Sequence, residues 1–123
     1  MASEIWYLAN PASGSNTVSV TVTGATDSIK LTAASFTGAA QSSPLDASNV
    51  TSEWGGNPTM SLTTGTANDL VTATLSRFGT TDATTNRTSL YSSTASSTLG
   101  AASYQIATTA GSYSDTYDNN GNR

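Results

Sequence analysis

The side chains that most often carry enzyme chemistry are missing from this sequence. It contains no histidine, the commonest general acid and base, and no cysteine, the commonest thiolate ligand and a frequent nucleophile. The ionisable groups that remain are chiefly eight carboxylates, Glu4, Asp27, Asp46, Glu53, Asp69, Asp82, Asp115 and Asp118. Most of them fall at strand ends and turns, where Asp is favoured because it hydrogen-bonds nearby backbone. A glycosidase needs two carboxyl groups facing each other across a cleft. Sequence spacing singles out no such pair here, so this reading ranks last. No serine occupies a Gly-x-Ser-x-Gly elbow. No catalytic residue and no cofactor site are therefore assigned, and the chain reads as a non-enzyme.

Three further groups invite a chemical reading beside a plainer one. Asp115, Asp118, Asn120 and Asn122 surround Gly121, an oxygen-rich arrangement able to wrap calcium. The Asp-x-Asp-x-Asp-Gly loop with its distant Glu is absent, however, so the segment reads first as an Asn-Gly turn and no metal site is assigned. Lys30, the only lysine, could form a stiffening isopeptide bond with an Asn or Asp. Strand alternation sets it opposite Ile29 and Leu31, which makes it an ordinary solvent-facing strand lysine that discourages edge pairing. Asn49-Val50-Thr51 and Asn86-Arg87-Thr88 match the glycosylation sequon, a match that arises easily by chance in a Ser/Thr-rich chain.

Aromatic residues supply the candidate contacts. Trp54, followed by Gly55 and Gly56, reads first as a plug over the open end of a sandwich and second as a solvent-facing platform for a ligand. Trp6 and Tyr7 are adjacent in a predicted strand, so their rings point to opposite faces. One belongs to the core and the other is available to a sugar or a neighbouring subunit. Trp54, Trp6 and Tyr7 are thus the candidate ligand or partner contacts.

The elements that must position these residues are strands. Residues 1–123 suit a single domain, since a chain of this length supports one hydrophobic core. Short runs of period-2 alternation predict strands at Glu4 to Ala9, Thr17 to Thr23, Ser28 to Thr37, Thr59 to Thr63, Asp69 to Ser76, Thr88 to Ser92, Ser103 to Thr108 and Ser112 to Tyr117. No segment has a helical period. In the second run Val18, Val20 and Val22 alternate with Ser19, Thr21 and Thr23, the pattern of a half-buried strand. Turn residues in Asn10-Pro11 to Gly14 and Gly24 to Asp27 join the first three strands as a meander. The expected inter-sheet core is Ile5 or Trp6 with Val18, Val20, Val22, Ile29, Leu31, Leu70 and Leu75. Ala39 to Pro58 and Gly79 to Arg87 read as loops. The fold class is all-β, an antiparallel β-sandwich of immunoglobulin-like or jelly-roll type.

Composition narrows the partners. Only 10% of residues are charged, against 36% hydrophobic, while 20 Ser and 23 Thr keep the surface wet. A net charge of -4 with four Lys and Arg excludes a nucleic-acid-binding surface and a polybasic membrane anchor. The composition also argues against membrane insertion. Without cysteine there is no disulfide framework. Met1-Ala2-Ser3-Glu4 has no basic and apolar stretch of the signal-peptide kind.

The run Glu4-Ile5-Trp6-Tyr7-Leu8-Ala9-Asn10-Pro11, the strand Thr17 to Thr23, the segment Ala34-Ser35-Phe36-Thr37-Gly38, then Pro44-Leu45-Asp46-Ala47 and Asn68-Asp69-Leu70-Val71 occur in an order that resembles prokaryotic and phage-associated extracellular β-sandwich domains. Ala110-Gly111-Ser112-Tyr113 and Tyr117 to Arg123 continue the resemblance. It implies a sandwich with no assigned enzymatic activity, located outside the cell or on a cell or virion surface. Domains of that group carry further strands before the Glu-Ile-Trp-Tyr run and after the final turn, so this chain reads as lacking flanking strands. The expected role is a structural or adhesive module that assembles as a homo-oligomer or is completed by strands of a partner chain. The alternative is a small carbohydrate-binding module, which makes glycans the second partner class.

Overall fold

The computed structural model describes residues 1–24, 28–53, 56–79 and 82–118. Its strands all lie in the second half of the sequence: β1 (Thr59–Thr64), β2 (Asp69–Phe78), β3 (Thr84–Thr85), β4 (Thr88–Ala95), β5 (Thr98–Ala107) and β6 (Gly111–Asp118). They form two three-stranded antiparallel sheets, one ordered β1-β6-β3 and the other β2-β5-β4, giving an all-β, sandwich-like fold. Only the β4–β5 connection stays within a sheet. Every other connection crosses from one sheet to the other.

That hairpin turns on Ser96 and Ser97, which both have positive φ (52° and 57°) between Ala95 and its partner Thr98. Two left-handed residues in a two-residue loop make a type I′ turn, whose twist matches that of the flanking strands. Serine tolerates this region less well than Asn or Gly. The sequence therefore holds the turn without its preferred residues.

The core lies between the sheets. Leu99 and Ala101 of β5, Tyr117 of β6 and Ala83 form one buried cluster, and Met60 of β1 and Leu75 of β2 pack against it. β5 is the central strand of its sheet and is covered on both faces. Leu99, Ala101, Ser103 and Ala107 are buried on the inner side. On the outer side Lys30 lies over Gly100 so closely that a Cβ there would stand 2.7 Å from Lys30 Cδ. Phe36 meets Tyr104 edge-on, with ring centroids 5.4 Å apart. A strand covered on both faces loses the period-2 alternation that marks a half-buried one.

The first half of the chain corrects the sequence-based expectation. Among the described residues before Thr59 there is no strand, so Glu4 to Ala9, Thr17 to Thr23 and Ser28 to Thr37 form no meander. Their apolar residues are not core either: Ile5, Trp6, Val18, Val20, Val22, Ile29 and Leu31 are all exposed. Alternation divides a segment into an apolar and a polar face, but a strand also needs a neighbour for its backbone. Among the described residues none is provided. Of the expected core, Leu75 packs against the buried cluster and Leu70 is half-buried.

The first half is instead fastened to the sandwich at separate points. Asn49 Nδ2 donates to the Ser61 carbonyl at 2.7 Å, and Gly65 N donates to Asp46 Oδ2 at 2.6 Å. Lys30 Nζ reaches the Ala95 carbonyl at 3.5 Å, and the residue is half-buried rather than a solvent-facing strand lysine. A missing strand after the final turn would leave the run Ser112 to Tyr117, within β6, short of a neighbour. β6 is in fact the middle strand of its sheet, with β1 on one side and β3 on the other. β3 lies inside Gly79 to Arg87, a stretch expected to be loop throughout.

Candidate functional site

Three arrangements bear on function, and the first is buried. Asp115, on the inner face of β6, is 1% exposed. Its Oδ1 accepts from Thr85 Oγ1 of β3 at 2.6 Å, and its Oδ2 accepts from Ser103 Oγ of β5 in the opposite sheet. Ser103 Oγ also lies 3.0 Å from Tyr117 Oη, which donates to the Ala73 carbonyl of β2 at 3.3 Å. The Ser103 proton goes to Asp115, so the single phenolic proton of Tyr117 is divided between Ser103 Oγ and the Ala73 carbonyl. Side chains of β3, β5 and β6 and a β2 carbonyl are thus joined across the sandwich.

Burial is the largest influence on Tyr117. It pushes the phenol well above its usual value, because the charged phenolate is poorly solvated there. The hydrogen bond with Ser103 acts the other way, and the charge of Asp115 adds to the rise. Tyr117 is accordingly a protonated donor at neutral pH. Ser103 and Asp115 are 0% and 1% exposed, so a reactant cannot touch them without opening the sheets. The cluster works as a cross-sheet fastening, in which every buried oxygen has a partner. Arg87 adjoins it and donates through Nε to the Ser114 carbonyl at 3.2 Å.

The second arrangement is the exposed apolar series of the first half. Val18, Val20 and Val22 are 62%, 53% and 47% exposed, and their backbone belongs to no sheet. The outer strands of the two sheets are β1 and β3 in one and β2 and β4 in the other. β1 and β4 carry no charged residue, and β2 carries charges only at its ends, Asp69 and Arg77. Charged side chains, especially lysines, are a common way in which natural proteins discourage pairing along an edge. No known protein family, curated protein or solved structure matches this chain. Function is therefore argued from these residues alone.

The sequence-predicted contacts are the third arrangement. Trp6 is 86% exposed and Tyr7 65%, so neither enters the core and the expected split between faces does not occur. Trp6 Nε1 donates to Glu4 Oε2 at 3.0 Å, which satisfies the indole and leaves its ring faces open. Trp54 lies outside the described residues, as do Asn119 to Asn122 of the oxygen-rich turn. Among the described residues nothing joins Trp6 and Tyr7 to the Asp115 cluster.

Sequence reasoning placed Asp115 in a turn-like carboxylate group and missed its buried role. The available signal was its position in β6: Tyr113, Asp115 and Tyr117 alternate on one face, so a core-facing Tyr117 implies a core-facing Asp115. Both sequon asparagines use their side-chain oxygens in hydrogen bonds within the fold. Asn49 Oδ1 accepts from Val50 N at 2.9 Å, and Asn86 Oδ1 accepts from Thr116 N at 3.0 Å.

Proposed function

We propose that this protein is a non-catalytic structural or adhesive module of an extracellular or virion assembly, in which exposed strand-type segments are completed by a second copy of the chain. The observation that carries this reading is the alternating series Val18, Val20 and Val22, exposed and unpaired in a chain whose sheet edges lack central charges. Strand addition gives such a segment the backbone partners it lacks among the described residues, and buries its valines at the same time. Thr17 to Thr23 contains no charged residue, so two copies can approach along it without like-charge repulsion. Trp6 and Tyr7 add aromatic surface of the kind enriched at interfaces.

Multi-angle light scattering on the purified chain tests the proposal. The expected result is a defined species at a multiple of 12.5 kDa whose population grows with protein concentration. A single 12.5 kDa species at every concentration would overturn it.

A further inference from the structure

The phase of the β2–β5 ladder decides which backbone groups of β2 are spare. Its register runs without a break from the Asp69–Ala107 pair to the Phe78–Thr98 pair. One step beyond, Gly79 N donates to the Ser97 carbonyl at 3.0 Å. In an antiparallel ladder the N–H and C=O of one residue point to the same side, and that side alternates along the strand. The odd-numbered residues of β2 therefore face β5, while Leu70, Thr72, Thr74 and Ser76 turn their backbone groups to the open edge. Among the described residues those outward N–H and C=O groups have no partner.

The other edges are less available. Along β1, Asn49 Nδ2 already holds the Ser61 carbonyl, and Thr59 N donates to Glu53 Oε2 at 3.4 Å. β3 has two residues, and β4 is interrupted by a register shift between Ser89 and Tyr91. A bulge of that kind bends a strand and protects its edge. β2 contains no proline, glycine or register shift, and its charges stand only at its ends. Its inner face is also incompletely covered: Ala73 and Leu75 are half-buried, whereas Ser103 and Ala101, their partners on β5, are buried.

We infer that the open edge of β2 receives Thr17 to Thr23 of a second copy, antiparallel, with Val20 opposite Ala73. The inference rests on the self-association proposed above and names the surface that accepts the segment. Thr17 to Thr23 and Leu70 to Ser76 are equal in length, and neither stretch carries a charge. In this register Val18, Val20 and Val22 stand beside Leu75, Ala73 and Val71 on the inner face and complete its cover. The intervening Ser19 and Thr21 stand on the outer face beside Thr74 and Thr72, hydroxyl pairs of the kind that stabilise neighbouring strands. Their backbone groups meet the outward groups of Thr74 and Thr72 as hydrogen-bonded pairs. A slip of one residue would turn the valines to the hydroxyl face, so the apolar pattern fixes the register.

The chain has no cysteine, so introduced thiols report the pairing directly. Val20 and Ala73 fall in a non-hydrogen-bonded pair, where side chains of neighbouring strands approach most closely. Val20→Cys and Ala73→Cys, purified separately and made to differ in mass by a tag on one of them, are mixed under mild oxidation where light scattering shows the wild type to associate. The expected product on a non-reducing gel is a covalent heterodimer. Val20→Cys mixed with Thr72→Cys, whose thiol lies on the other face, should give only background. Thr72→Pro removes one outward N–H at an edge position that accepts proline. It should still melt cooperatively at high dilution, and should raise the concentration for half-association by roughly 10-fold. A wild type that stays at 12.5 kDa would remove the self-association and this inference with it. Where the wild type does associate, the β2 edge alone is overturned if no heterodimer forms, if Val20→Cys joins chiefly to itself, or if Thr72→Cys is captured as well as Ala73→Cys. Wild-type association by a folded Thr72→Pro would overturn it equally.

Discussion

Asp115 and Tyr117 hold the two sheets together through oxygen atoms that have few alternatives. Tyr117→Phe leaves the Ala73 carbonyl and Ser103 short of a donor and should cost about 1–3 kcal/mol. Its pH dependence has a definite sign. The folded-state phenol titrates above the unfolded value near 10, so the native state holds the proton more tightly. The stabilisation is complete below about pH 10 and declines above it, by at most about 1.4 kcal/mol per pH unit. Urea midpoints measured from pH 8 to 11 should therefore fall more steeply for the wild type than for Tyr117→Phe. Parallel curves would show that Tyr117 does not carry the alkaline instability. Ser96 and Ser97 offer a change in the other direction. Replacing them by Asn and Gly keeps the left-handed turn with residues that favour it, and should raise stability by about 1 kcal/mol, read from the same urea midpoints.

At the level of strands, the second half of the chain was legible in the sequence and the first half was not. Alternation located β1, β2, β4 and β6 to within a few residues, and in β1 and β6 burial follows the same period, with one face against the core and one toward solvent. For β5 it found only the end from Ser103 onward. Thr98-Leu99-Gly100-Ala101-Ala102 has no alternation to read, since Lys30 covers its outer face while the other sheet covers the inner one. β3 has two residues, too few for any period. Of the candidate site, the exposed Trp6 and Tyr7 were named from sequence, whereas the buried role of Asp115 depends on which face of β6 meets the other sheet. The valines of Thr17 to Thr23 repeat the period of β6 without its neighbours. Substitution distinguishes the two situations. Leu99→Ala, at a fully buried position, should cost about 2–5 kcal/mol, whereas Val20→Ala, 53% exposed, should change the stability of the isolated chain by no more than about 0.5 kcal/mol. A large loss for Val20→Ala at high dilution would mean that this segment is packed within a single chain after all.

For the whole molecule, that last comparison becomes a test of assembly. A segment that is neutral to stability in the isolated chain and important at high concentration acts between chains, because only an intermolecular contact depends on protomer concentration. Val20→Lys sharpens the contrast. Lysine at an exposed position is harmless to the fold of one chain, yet it places a strongly hydrated charge in the middle of a strand that would have to pair. The variant should melt like the wild type at low concentration, remain at 12.5 kDa where the wild type associates, and stay monomeric in high salt, since the barrier is desolvation of the ammonium rather than repulsion between copies. Association of Val20→Lys equal to that of the wild type would remove residues 17–23 from the interface and leave the sheet edges at β1, β2 and β4 as the surfaces through which copies meet.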